Sequence, residues 1–113
     1  TGEILWSTIT DKECKEIDTN CDPGISAAVT AVPGAVIAGH LDGMIRVYDK
    51  NNGDILWSFN SLGEYESISG TPASGGSFSG SGPSVRNGFM AINSGYGIYN
   101  HMPGNALLLF SIE

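Results

Sequence analysis

Short apolar runs separated by turn residues fill this chain, a pattern that predicts short strands rather than long helices. From residue 26 the pattern predicts four strands, over 26–32, 35–40, 44–49 and 54–60. Pro33-Gly34 turns the first into the second, and Leu41-Asp42-Gly43 turns the second into the third. An Asp-Gly pair suits a tight hairpin because both residues tolerate positive φ. Lys50-Asn51-Asn52-Gly53 closes the third strand, and along the fourth Ile55, Trp57 and Phe59 share one face, as a two-residue period requires. Three more strands are predicted over 83–86, 89–93 and 106–112. The Gly- and Ser-rich stretch 61–82 reads as a long loop, and 94–105 as an enlarged one.

An internal repeat organises these strands. Thr1-Gly2-Glu3-Ile4-Leu5-Trp6-Ser7 returns as Asn52-Gly53-Asp54-Ile55-Leu56-Trp57-Ser58, with five of seven positions identical at an offset of 51 residues. A period of that size built from short strands points to propeller blades. The fold expected is therefore all-β, made of β-propeller blades that are four-stranded antiparallel sheets, about two to the chain. Residues 1–10 supply the outer strand of one blade, 26–60 a full blade, and 83–112 three strands of the next. A lone blade is apolar on both faces and cannot bury them. Other copies of the chain, or sequence missing from it, are expected to complete the ring. The strand at 1–10 is the one that the last blade lacks, so copies can join head to tail. Because Thr1 falls inside the repeat, the chain reads as a segment of something longer.

Composition narrows the function classes. The 113 residues carry a net charge of −7 with only five Lys and Arg, so no basic stripe exists to neutralise phosphates. Nucleic acid and anionic membrane surfaces are both excluded as expected partners, and no apolar run is long enough to span a bilayer. Cys14 and Cys21 lie seven apart in a polar stretch. They read either as a small disulfide loop, stabilising by roughly 2–3 kcal/mol in the chain-entropy account, or as two reduced thiols. Neither His sits at metal-ligand spacing from them.

The stretch Val47-Tyr48-Asp49-Lys50-Asn51-Asn52-Gly53-Asp54-Ile55-Leu56-Trp57 resembles the tryptophan-docking repeat of PQQ (pyrroloquinoline quinone) propellers. Asp49, Gly53 and Trp57 match that motif, while Val47 stands for its Ala and Asn52 for its Thr. The resemblance implies that Trp57, and Trp6 for the preceding blade, pack against a neighbouring blade. A longer likeness is carried by Ala27-Ala28-Val29-Thr30-Ala31, Leu41-Asp42-Gly43, Gly75-Gly76-Ser77, Asn93-Ser94-Gly95-Tyr96-Gly97 and Met102-Pro103-Gly104-Asn105. These resemble the C-terminal blades of polyvinyl-alcohol-dehydrogenase-like quinoproteins. The likeness implies a periplasmic or secreted protein, a disulfide between Cys14 and Cys21, and an alcohol dehydrogenase using PQQ and Ca²⁺. It also implies a c-type haem protein as electron acceptor, and since no Cys-x-x-Cys-His is present the haem belongs elsewhere.

No complete catalytic set is visible, so the catalytic residues and substrate stay unassigned. Gly75, Gly76 and Ser77 are cofactor candidates, since missing side chains let backbone amides approach an anionic ligand; the plain alternative is a connector. Tyr96 and His101 sit in a glycine-flanked loop that suits ligand contact, or packing on its own aromatics. His40 reads as a structural histidine more than a funnel-facing one. Arg46 reads as half of an ion pair within the blade more than as a contact to a cofactor carboxylate. Asp42 and Asp54 are turn residues before they are calcium ligands, and no metal site is assigned. Two functions follow: part of a PQQ-dependent alcohol dehydrogenase, inactive alone, or a noncatalytic propeller unit that assembles into a homo-oligomeric ring.

Overall fold

The computed structural model describes residues 2–9, 21–96 and 101–111. Its strands are all antiparallel, and no helix occurs among the described residues. Strands β1 (Thr30–Val32), β2 (Ala35–Gly39), β3 (Met44–Asp49) and β4 (Ile55–Asn60) form one sheet in sequential order. A two-stranded hairpin follows, β5 (Gly63–Glu66) with β6 (Pro72–Gly75). A three-stranded sheet completes the order with β7 (Ser84–Arg86), β8 (Phe89–Ser94) and β9 (Ala106–Ser111). These sheets are consistent with partial propeller blades.

The three strands of the last sheet repeat the first three of the first sheet. β1 meets β2 through Val32↔Ala35, and β7 meets β8 through Arg86↔Phe89, each across a two-residue turn. Gly34 takes φ 82°, while Asn87 and Gly88 take 51° and 78°. At Asn87-Gly88, positive φ at both residues gives the tight reversal whose twist matches the strands, whereas at Pro33-Gly34 the proline ring fixes a negative φ and only the glycine is positive. β3 and β9 are likewise equivalent, so Arg46 corresponds to Leu108 and Tyr48 to Phe110. A bulge between Val47 and Tyr48 shifts the β3–β4 register and places Trp57 opposite Val47.

Two expectations need correction. Residues 61–82 are not a plain loop, because they contain the β5–β6 hairpin, in register Gly63↔Gly75 to Glu66↔Pro72. That hairpin is mostly exposed and lacks an apolar face, so it leaves no alternating signal. Backbone and turn bonds hold it instead: Gly70 N donates to Ser67 O at 2.9 Å, and Ser67 Oγ to Thr71 O at 2.6 Å. The first strand is also shorter than 26–32, because the connector between β6 and β7, residues 76–83, takes its early backbone. Ala28 N donates to Gly80 O at 3.1 Å. Residues 2–9 pair with no strand among the described residues.

The core lies between the two larger sheets. Ile37 and Ile45 from the first face Ile92 from the second, with Phe78 of the connector inserted among them. Val32, Val47, Phe59, Met90, Leu108 and Phe110 pack around that centre. Each sheet thus covers an apolar face of the other, which neither could bury alone. The seal is incomplete toward the tight-turn end, where a cavity of about 500 Å³ opens beside Trp57, Val85, Phe89 and Phe110.

Candidate functional site

At the tight-turn end, Asp49 organises the loop that receives Trp6. Its carboxylate accepts from Asn51 N at 2.8 Å, its carbonyl accepts from Gly53 N at 2.9 Å, and Asn52 Oδ1 accepts from Asp54 N at 2.9 Å. The turn offers Lys50 O to the indole of Trp6, whose Nε1 donates at 2.8 Å. Gly53 has φ 77°, and a Cβ there would lie 2.6 Å from the Trp6 ring, so only glycine fits. Trp6 also packs on Tyr48, ring centroids 6.0 Å apart. Trp57 repeats that contact on the next sheet, meeting Phe110 edge-on at 5.6 Å and stacking with Phe59 at 6.1 Å. The positions equivalent to Lys50 and Asn51 are 112 and 113, outside the described residues.

Long connections gather at the other end of the sheets, and their polar groups are buried. Residues 74–78 run between the β2–β3 turn and the β8–β9 loop, bonded to both. Phe78 N donates to His40 O at 3.0 Å, Ser77 N to Met102 O at 3.0 Å, and Gly95 N to Ser77 O at 2.9 Å. Ser77 Oγ accepts from Met102 N at 2.9 Å and donates to Leu41 O. The Ser61 and Ser94 hydroxyls meet at 2.8 Å, and Ser94 Oγ accepts from Gly76 N at 2.9 Å. A Cβ on Gly75 would fall 1.8 Å from Ser61 O, and one on Gly76 2.3 Å from Pro103 O. The missing side chains therefore let the chain cross itself.

Gly76 and Ser77 are buried, Gly75 is half-buried, and the hydrogen-bonding groups of this stretch serve the protein itself. The Gly76 and Ser77 amides are taken by Ser94 Oγ and Met102 O, so neither is left facing an open cradle for an anionic quinone. Tyr96 is exposed and its hydroxyl donates to Asn105 O at 2.8 Å. His101 is half-buried on the same loop, whose middle, 97–100, lies outside the described residues. The structure thus separates Tyr96 at the surface from Ser77 in the interior. Ser61, Ser94 and Asn105 were missed as organisers of this end. Asn105 Oδ1 accepts from Ser74 N at 2.8 Å, and its own N donates to Ser74 O at 2.7 Å.

A second buried polar group lies on the face of the first sheet that turns toward Trp6. Asp42 and Arg46 form a two-bonded ion pair, Nη2–Oδ2 at 2.8 Å and Nη1–Oδ1 at 3.2 Å, with both side chains almost wholly buried. Asp42 Oδ1 also accepts from Met44 N at 3.1 Å, so the turn residue and the ion-pair residue are the same. His40 Nδ1 lies 2.6 Å from Pro23 O and its Nε2 lies 3.0 Å from Tyr48 Oη. A neutral ring donating from Nδ1 and accepting from the tyrosine satisfies both bonds. Burial pulls the His40 pKa below 6.5 and the Arg46 charge adds to it, against the Pro23 carbonyl and Asp42. Asp54 stays at the exposed tight-turn end, far along the sheet from this group.

No group of three or more His, Cys, Asp and Glu suited to a metal occurs among the described residues. Cys21 is disulfide-bonded, and Cys14 lies outside the described residues. No helix among the described residues is long and apolar enough to cross a membrane.

An all-β chain of repeated antiparallel sheets, with Trp6 held on the Asp49-led turn and Trp57 packed on the next sheet, is the class that the motifs resembled, and sequence similarity extends this likeness over the whole chain. A polyvinyl alcohol dehydrogenase of Pseudomonas sp is 36% identical over 122 aligned residues, covering 99% of this chain and 19% of that protein. A polyvinyl alcohol dehydrogenase of Sphingopyxis sp. (strain 113P3) is 30% identical over 125, covering 100% of this chain and again 19% of the relative. The chain spans about a fifth of the length of the curated relatives it matches. No family model matches it, and no solved structure does either.

Proposed function

We propose that this chain forms part of a PQQ-dependent, polyvinyl-alcohol-dehydrogenase-like propeller, supplying blade packing rather than the quinone cradle, and is not catalytic by itself. One observation carries the reading: the glycines and serine that would have approached a cofactor are engaged with Ser61, Ser94, Met102 and Leu41. The similarity to two polyvinyl alcohol dehydrogenases supports the oxidoreductase setting. In that setting PQQ, with Ca²⁺, would supply the two-electron oxidation of an alcohol. Electrons would leave to a c-type haem protein. The Cys21 disulfide supports an oxidising compartment, periplasmic or extracellular.

The same closed stretch favours a second reading, a noncatalytic propeller scaffold that keeps blade packing without redox chemistry. Adding PQQ and Ca²⁺ to the purified chain, with an alcohol and a reducible dye, tests the first reading. No bound-quinone absorbance and no dye reduction are expected from this chain. A stoichiometric quinone spectrum would overturn the assignment to packing and return Tyr96 and His101 to the cofactor. Restoration of dye reduction by the remaining sequence of such a dehydrogenase would separate the two readings.

A further inference from the structure

Two parts of this molecule are complementary and do not meet. β9 pairs with β8 alone among the described residues, so its other edge is open. Residues 2–9 pair with no strand among the described residues and leave Ile4 81% and Leu5 74% exposed, while Leu107 and Leu109 on β9 are 70% and 67% exposed. A groove of about 620 Å³ runs along the open edge between Ala106–Leu109 and the tip of the β5–β6 hairpin, beside Tyr96. Among the described residues the hairpin is hydrogen-bonded to the β9 side through Ser74 and Asn105.

The internal repeat says what fits there. β9 is the counterpart of β3, and the strand on the outer edge of β3 is β4. Residues 2–7 carry the β4 sequence almost unchanged, Gly-Glu-Ile-Leu-Trp-Ser against Gly-Asp-Ile-Leu-Trp-Ser. We propose that residues 2–9 of a second copy of this chain add to β9 as its fourth, antiparallel strand. Open edges accept strands in this way because ladder hydrogen bonds give affinity and side-chain pockets set register. Copying the β3–β4 register gives Ile9 opposite Ala106, Thr8 opposite Leu107, Ser7 opposite Leu108, Trp6 opposite Leu109 and Ile4 opposite Phe110, with the bulge carried over.

Intramolecular docking of Trp6 fits this arrangement. While the arm joins its neighbour's sheet, its indole stays on the 50–53 turn of its own chain. The arm would thus lie between two sheets, one from each copy. The contact is head-to-tail, so successive copies close into a ring or continue as a filament. This inference is independent of the redox reading, because its readouts are mass and register.

Light scattering behind a sizing column, with cysteine cross-linking, tests it. The chain should elute at a mass of at least two copies of 11.8 kDa. Mixed Thr8→Cys and Leu107→Cys chains should form an intermolecular disulfide between positions 8 and 107, located by peptide mass mapping. Thr8→Cys mixed with Leu109→Cys, two positions out of register, should give far less. Excess peptide of residues 1–10 should occupy the groove and return the assembly to single copies. A monomer at working concentration would overturn the proposal and assign the edge to a segment outside this chain. Oligomers whose cross-linking ignores register would overturn it equally.

Discussion

The two faces of the first sheet are held by different physics. Toward the second sheet it presents Ile37, Ile45 and Val47, which meet Ile92, Leu108 and Phe110 around Phe78. Toward Trp6 it presents Arg46 and Tyr48, with His40 and Asp42 at the strand ends, all buried as deeply as the apolar face. The apolar face depends on area and tolerates small changes of shape. The polar face depends on a few bonds, and losing one partner strands the other in a dry site. Corresponding positions of the second sheet make the contrast sharper, since Ser94, Leu108 and Phe110 stand where His40, Arg46 and Tyr48 do. One scaffold therefore supports a polar interface on one side and an apolar interface on the other.

Removing one charge should break the polar face most severely. Asp42→Ala leaves the Arg46 guanidinium buried without this partner and should cost about 3–5 kcal/mol, read as a lower denaturant midpoint. Pairing it with Arg46→Leu, the residue that the second sheet uses, should recover much of the loss. If the double variant is as unstable as the single one, the ion pair is not what distinguishes the two faces. On the apolar face, Ile45→Ala should cost about 2–5 kcal/mol through lost burial and a residual cavity. A cost below about 1 kcal/mol would show that this face relaxes freely around the loss.

Tyr48→Phe makes one position of the polar face like Phe110. It removes the hydroxyl from His40 Nε2 and should cost about 1–3 kcal/mol by thermal or chemical unfolding. The smallest effect should come from pH. His40 has its pKa lowered in the folded state, so the unfolded chain binds its proton more readily. Stability from this residue is fully present above 6.5 and falls as pH drops from 6.5 toward the lower folded value. A stability profile of His40→Gln, flat through that window relative to the parent, would attribute the slope to this ring. An unchanged slope would assign it to other groups.

Strand order was legible because alternation and turn chemistry act locally. Pro33-Gly34, Leu41-Asp42-Gly43 and the Asp49-led turn each marked a reversal that the structure contains. The β5–β6 hairpin was not legible, since its residues bury no common face and ladder and turn bonds alone define it. Gly75 and Gly76 show a deeper limit. Their sequence says that something must approach a bare backbone closely, and both a ligand and the chain's own carbonyls satisfy that requirement. Likewise, Arg46 could be placed on a strand face with Tyr48 from its spacing. Its pairing with Asp42 depends on how the turn folds the carboxylate back, which no periodicity records.

The unequal loops at the long-connection end bear on how such chains grow. β2 and β3 are joined by four residues, 40–43, whereas eleven, 95–105, separate β8 from β9. The strands on either side nevertheless keep equivalent pairings, with Gly39↔Ile45 in one sheet answered by Asn93↔Leu107 in the other. Duplicated units can therefore lengthen at that end without disturbing the pairing of the strands, while the tight-turn end, fitted around an indole, stays short. Novelty in such a lineage would accumulate on one rim of the assembly, and the opposite rim would preserve the geometry of the ancestral repeat.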